Sequence, residues 1–166
     1  MKCLLSCLFL FISWSLIAQD MPTVRESYKL AAQDKSNLES FYQLVETVDK
    51  NNDVAIVAYK GAALALKAKY AETIKGKKEG FILGVDYIES AIKKEPNAIE
   101  PRFVRLGIQE NAPKILKYRD NIDEDKAFLI KQFEHIPSKN LKEHIKDYIL
   151  QSKLFSDAEK AVILKY

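Results

Sequence analysis

Three polar side chains share one side of a predicted helix, since Arg102, Arg105 and Gln109 stand at i, i+3 and i+7. Asn111, Lys114 and Tyr118 follow just beyond. Arginine carries forked donors that match a carboxylate or a backbone carbonyl. The same pattern has a plainer reading, in which the arginines pair with acids of the next helix or stay solvated. Both readings stay open on the residues alone. They give Arg102, Arg105, Gln109, Asn111 and Tyr118 as the candidate binding residues.

The other chemistry-bearing residues are poorly spaced for catalysis. His135 and His144 fall on separate predicted helices, each directly after a glutamate. A zinc site needs three or four converging ligands, and no HExxH stretch is present. The two histidines read as surface residues of amphipathic helices, and no metal is expected. No serine sits in a GxSxG elbow or an SxxK pair, and Ser36, Ser138 and Ser156 read as helix caps. No glycine-rich phosphate loop occurs, so Gly76-Lys77-Lys78 reads as a solvated turn. Asp123, Glu124 and Asp125 are adjacent and suit the positive start of a helix. A glycosidic role needs two carboxylates about 5–10 Å apart across a cleft, and nothing in the sequence places such a pair. The expectation is a protein that is not an enzyme and takes no cofactor. A carboxylate- or tyrosine-based enzyme is the least favoured alternative.

The chain opens with Met1-Lys2 and an uncharged, mostly apolar run from Cys3 to Ala18. One positive charge, a short apolar stretch and a small terminal residue are the order of a secretory signal. A spanning helix needs roughly 20 apolar residues, and this run is shorter and broken by three serines. Residues 1–18 therefore read as a signal peptide and 19–166 as one exported domain, periplasmic or secreted. A cysteine anchor at Cys7 is disfavoured, because too few residues precede it to form an apolar region of about 7–15.

Losing residues 1–18 would remove both cysteines and the only tryptophan. The remainder would hold no disulfide, thiolate ligand or cysteine nucleophile. About 148 residues are still enough to fold around one core. Twenty-five basic residues would face twenty-three acidic ones. That balance argues against nucleic acid, and no stable membrane insertion is expected after cleavage.

The elements that must position these residues are all predicted to be helical. Glycine and proline number only five each, and no segment alternates like a half-buried strand. A short helix is predicted over 24–31, a second from a cap at Ser36, and a third from Asp53 to about Ala71. The third carries a stripe of small residues, including Ala58, Gly61, Ala62, Ala65 and Ala68. Small side chains let a neighbouring helix approach closely, which marks it as a central packed element. Residues 74–79 are lysine-rich and read as a loop. A fourth helix then runs to Glu95, just before Pro96. Asn97 and Glu100 have capping-box spacing for a fifth, which Asn111-Ala112-Pro113 ends. A sixth starts near Asn121 or Asp123 and runs to Ile136. A seventh is capped by Ser138, and an eighth opens at Ser156 with Glu159 completing a capping box. The predicted core comprises Phe41, Val57, Gly61, Leu64, Phe81, Gly84, Ile88, Ala91, Phe103, Leu106, Leu129, Phe133, Ile145 and Ile149.

Within residues 80–107 the pattern resembles a tetratricopeptide repeat. Gly84, Ile88 and Ala91, with Pro96 five residues on, are similar to the second helix and terminal proline of such a unit. Pro96 to Glu100 resembles the entry to the next repeat, with Phe103 and Leu106 near its aromatic and leucine positions. The spacing from Gly61 to Gly84 does not complete a second repeat of about 34 residues, so the chain is TPR-like rather than a true array. The whole sequence also resembles a family of small exported proteins of Gram-negative bacteria with no assigned activity. Arg102-Phe103-Val104-Arg105-Leu106, Ile108-Gln109, Asn111-Ala112-Pro113 and Asp125-Lys126 carry that likeness, which brings no catalytic residues.

The fold expectation is all-α, with stacked antiparallel helix hairpins packed in the TPR-like manner. In such proteins the first helix of each pair lines a concave surface that grips peptides. The resemblance then implies a groove lined by Arg102, Arg105, Gln109, Asn111 and Tyr118, and a protein–protein interaction or scaffold role with a protein or peptide partner. A carrier of a small ligand or lipid in an apolar cavity is the alternative.

Overall fold

The computed structural model describes residues 20–166. The predicted leader, residues 1–18 with Cys3, Cys7 and Trp14, lies outside the described residues. Among the described residues every regular element is helical, so the chain is all-α. The α-helices are α1 (Met21–Gln33), α2 (Leu38–Val45), α3 (Val54–Lys69), α4 (Ile74–Lys94), α5 (Ile99–Asn111), α6 (Ile122–Gln132), α7 (Lys139–Gln151) and α8 (Asp157–Ile163). Among the described residues no helix is long and apolar enough to cross a membrane.

Several boundaries follow from side chains that satisfy the free N–H groups of a first turn. Asp53 accepts from the Ala55 amide and opens α3. Ser138 accepts from the Leu141 amide at the start of α7. Ser156 and Glu159 form the predicted capping box of α8. Other caps differ from the sequence reading. Asp34, not Ser36, accepts at the first turn leading into α2, and the Ser36 amide is its donor. No capping box forms at α5. Glu100 instead reaches Arg25, because two charge-assisted bonds in a buried site outweigh one bond to an exposed amide.

The largest departure is residues 74–79, expected as a loop and found as the start of α4. Thr73 caps this helix by accepting from the Gly76 amide. Its inner face explains why the helix persists through a lysine-rich, glycine-containing segment. Gly80 and Gly84, four residues apart, face α3, while Gly76 sits against the capping turn at Ala71 and Thr73. A Cβ on Gly84 would lie 2.6 Å from the Gly61 carbonyl oxygen and 2.7 Å from the Ala65 amide nitrogen. A Cβ on Gly61 would lie 2.5 Å from the Gly84 carbonyl oxygen. The two backbones are therefore in direct contact, which only glycine permits on both sides. The four-residue connection between α3 and α4 makes them an antiparallel hairpin, the most extensive helix pair among the described residues.

Helix α3 is the hub. It packs on α1, α2, α4 and α5 and is buried almost all round. Tyr59, Phe41, Phe103, Phe133, Ile88, Leu106, Leu129, Ile145 and Ile149 are fully buried in one continuous core. Of the predicted core residues only Leu64 and Phe81 are half-buried, and Phe81 packs edge-on against Tyr118. Helix α5 rests on α3 and carries α6 on its far side, while α7 joins through α1 and α8. That arrangement leaves α5 with little free surface.

Candidate binding cleft

The five residues of the expected groove are mostly spent inside the protein. Arg105 is 4% exposed. Its guanidinium donates to both Asp125 oxygens, at 2.7 and 2.8 Å, and to Glu89 at 3.0 Å. Arg102 donates to the Pro96 carbonyl at 2.8 Å, to Glu124 at 2.7 Å and to Asp125 at 3.0 Å. It also lies over the Phe128 ring, 4.5 Å from the centroid. Tyr118 donates to Glu89 at 2.5 Å. Gln109 is fully buried, with only a long contact to Asn121. The face expected to line a groove is thus an ionic joint binding α5 to α4 and α6. Asn111 alone is exposed, and it donates to the Gly107 carbonyl.

The electrostatics of this joint are those of a closed network. Burial opposes the charge on Arg105, but the Asp125 carboxylate more than offsets it and raises the guanidinium pKa. Burial and the neighbouring Glu89 push the Tyr118 phenol up. The hydrogen bond from Arg102 holds Glu124 below its ordinary value. A second joint lies across the core. There Arg25 of α1 donates to both oxygens of Glu100, at 2.7 and 2.8 Å, and to Asn140 of α7 at 3.0 Å.

An open cleft of about 610 Å³ lies elsewhere, where α1, α5 and α7 meet without closing. Its floor is aromatic. His144 stacks edge-on against Phe103 with ring centroids 5.0 Å apart, and Tyr148 does so at 5.3 Å. Tyr28 of α1 completes the group, 6.4 Å from Phe103 and 6.3 Å from His144. Gly107 allows this arrangement, because a Cβ there would sit 2.7 Å from the Tyr28 hydroxyl. Phe103, Gly107, Glu110 and Asn111 recur along α5 at helical spacing, so one stripe of that helix forms the base. Glu110 ties the wall together by accepting from Tyr148 and Ser152, each at 2.8 Å, and from the Lys153 amide at 3.1 Å. The rim carries both charges, with Lys29 paired to Asp147 at 3.1 Å and Arg119 opposite.

Burial holds three groups of the cleft, His144, Tyr28 and Tyr148, in their neutral forms. Burial lowers the His144 pKa to about 4, helped by the positive charges of Arg25 and Lys29 and opposed by Asp147. Its Nε2 is buried without a hydrogen-bond partner. Burial, then the nearby Glu110, raises the phenols of Tyr28 and Tyr148. A neutral imidazole and two protonated phenols can donate or accept single hydrogen bonds to a ligand. Such a histidine is a weak base near neutral pH. Among the described residues no group of three or more histidine, cysteine, aspartate or glutamate side chains could hold a metal ion.

Sequence reasoning missed this cleft. His144 was expected on the surface, yet it is wedged among aromatic rings. Its spacing to Tyr148 on one helix was visible, but nothing local pointed to Tyr28, 116 positions earlier in the chain. No family model matches the chain, and no curated protein or solved structure is significantly similar to it.

Proposed function

We propose that the chain is an exported helical interaction module that takes a short segment of a protein partner in the α1–α5–α7 cleft. The observation that carries the reading is the cleft itself, an aromatic floor with a rim of both charges on rigid helices. Tyrosine and other aromatic side chains supply large contact area at low entropic cost and dominate protein interfaces. The close α3–α4 hairpin and the proline-ended fourth helix support the helical-repeat likeness of residues 80–107. The contacting residues are then the half-buried Glu110, His144 and Tyr148, backed by the buried Tyr28 and Phe103, with Asn111 the one member of the predicted set beside them.

A photo-activatable side chain placed at the exposed rim positions Asn111 and Gln151 tests this in the producing cells. A position outside the cleft, Lys131, is the control. One protein adduct at both rim positions and none at Lys131 is the expected result. Equal labelling at all three, or no protein adduct at the rim, refutes it. The cleft volume also falls in the range of small-ligand pockets of about 300–1,000 Å³. A small molecule or lipid retained by the purified protein in native mass spectrometry would favour the carrier reading instead.

A further inference from the structure

The α3–α4 turn and the helix ends beside it form a tip whose chemistry the cleft does not use. Residues 67–78 hold five lysines against one glutamate. Lys67 is paired with Glu39, and Lys75 with Glu79. Lys69, Lys77 and Lys78 are exposed and make no ion pair among the described residues. Lys35 joins them from the turn before α2, its ammonium 4.9 Å from the Tyr70 ring centroid, with that of Lys69 at 5.5 Å.

The same tip exposes large aliphatic side chains. Ile74, the first residue of α4, is 87% exposed, and Ile82 is 54% exposed. Ile74, Lys78 and Ile82 follow i, i+4 and i+8, so they lie along one outward line of α4. The glycine stripe on the opposite side of this helix holds it against α3. That packing fixes which side chains face out.

A bare isoleucine at a helix start, a tyrosine beside it and a ring of lysines match the layers of a lipid interface. The aliphatic group suits the acyl boundary, the phenol suits the headgroup level, and the lysines suit lipid phosphates. A protein partner would be better met by a rim of both signs, as at the cleft. Single-stranded nucleic acid needs free aromatic faces, and Tyr70 is flanked by two of its own lysines. We infer that the α3–α4 tip rests on an anionic lipid surface, with Ile74 entering the interface and Lys69, Lys77 and Lys78 contacting lipid phosphates. This attachment is peripheral and independent of what the cleft binds.

Co-sedimentation of the purified protein without residues 1–18 with vesicles tests the inference. One set contains equal parts phosphatidylglycerol and phosphatidylcholine, and the other phosphatidylcholine alone. Binding should occur on the anionic vesicles only and weaken as salt rises. Replacing Lys69, Lys77 and Lys78 with glutamine should lower partitioning on the order of a hundredfold, about fivefold per charge. Ile74→Ser should lower it by at least about tenfold. Glutamine at Lys117, Lys131 and Lys139, exposed positions outside the tip, should leave it within about twofold. All these side chains are exposed, so unchanged circular dichroism is expected throughout. Equal binding to both vesicle types, no binding to either, or full binding by the Ile74→Ser protein would each overturn the inference. So would a tip that crosslinks to a protein while showing no vesicle affinity.

Discussion

Replacing Gly84 with alanine should destabilise the protein although alanine is the better helix former. The new Cβ would stand 2.6 Å from the Gly61 carbonyl oxygen and 2.7 Å from the Ala65 nitrogen, whereas ordinary contact begins near 3.4 Å. Both atoms belong to the backbone, so no side chain can swing aside. The hairpin must open by roughly 0.8 Å, and a gap of that size forfeits about a quarter to a half of each dispersion contact it stretches. Overpacking of this kind costs about 1–3 kcal/mol, and the backbone contacts place Gly84 at the upper end. Alanine returns about 1 kcal/mol of helix propensity. The net loss is about 2 kcal/mol, or roughly 4–8 °C in Tm for a chain of this size. Gly76→Ala is the matched comparison, because its Cβ meets only the Thr73 hydroxyl at 3.1 Å and the Ala71 methyl at 3.4 Å. It should be neutral or stabilise by up to about 1 kcal/mol. Thermal melts and urea titrations of both variants decide the matter. A Gly84→Ala protein as stable as the parent, or two variants that lose equally, would refute direct backbone contact as the basis of the hairpin.

Two further predictions concern buried charge. Asp125→Ala strips the buried Arg105 of its bidentate partner and should cost about 3–5 kcal/mol in urea unfolding. The double variant Arg105→Met, Asp125→Leu should recover most of that loss, and purely additive losses would show that the pair is not one unit. His144 gives a pH dependence. Its folded pKa near 4 lies below the ordinary value of 6.5, so the unfolded chain binds the extra proton first. Its contribution is intact above pH 6.5 and falls away as pH drops towards 4, by about 2–3 kcal/mol. His144→Phe should flatten unfolding free energy across that window. An unchanged slope would mean that the imidazole is not held neutral.

Secondary structure was legible at most places where the signal was local. The Asp53, Ser138 and Ser156 caps, the proline stops and the 3.6-residue periodicity act within a few positions, and all are realised. The same local logic failed at residues 74–79. Lysines and a glycine read as a turn, but the Thr73 cap and the packing of Gly80 and Gly84 on α3 carry the helix through them. It also failed at Glu100, whose capping-box spacing was overridden by Arg25, 75 residues away.

The site was legible only in part, because sequence shows which side chains share a helix face and not what that face meets. Arg102 and Arg105 do lie on one side of α5, as their spacing requires, yet α4 and α6 cover that side with Glu89, Glu124 and Asp125. The other stripe, Phe103, Gly107 and Glu110, carried no binding signal, and Phe103 read only as core. It becomes a cleft because α1 and α7 meet beside it without closing over it.

The all-helical class, most helix ends and the small side chains that permit close approach at Gly61 and Gly84 were written in the residues, because capping, periodicity and side-chain size are local properties. Tertiary structure alone decided which polar face is buried and which is open. Burial of a charge depends on whether a partner arrives from elsewhere in the chain, and the free energy of that meeting has no counterpart in local spacing.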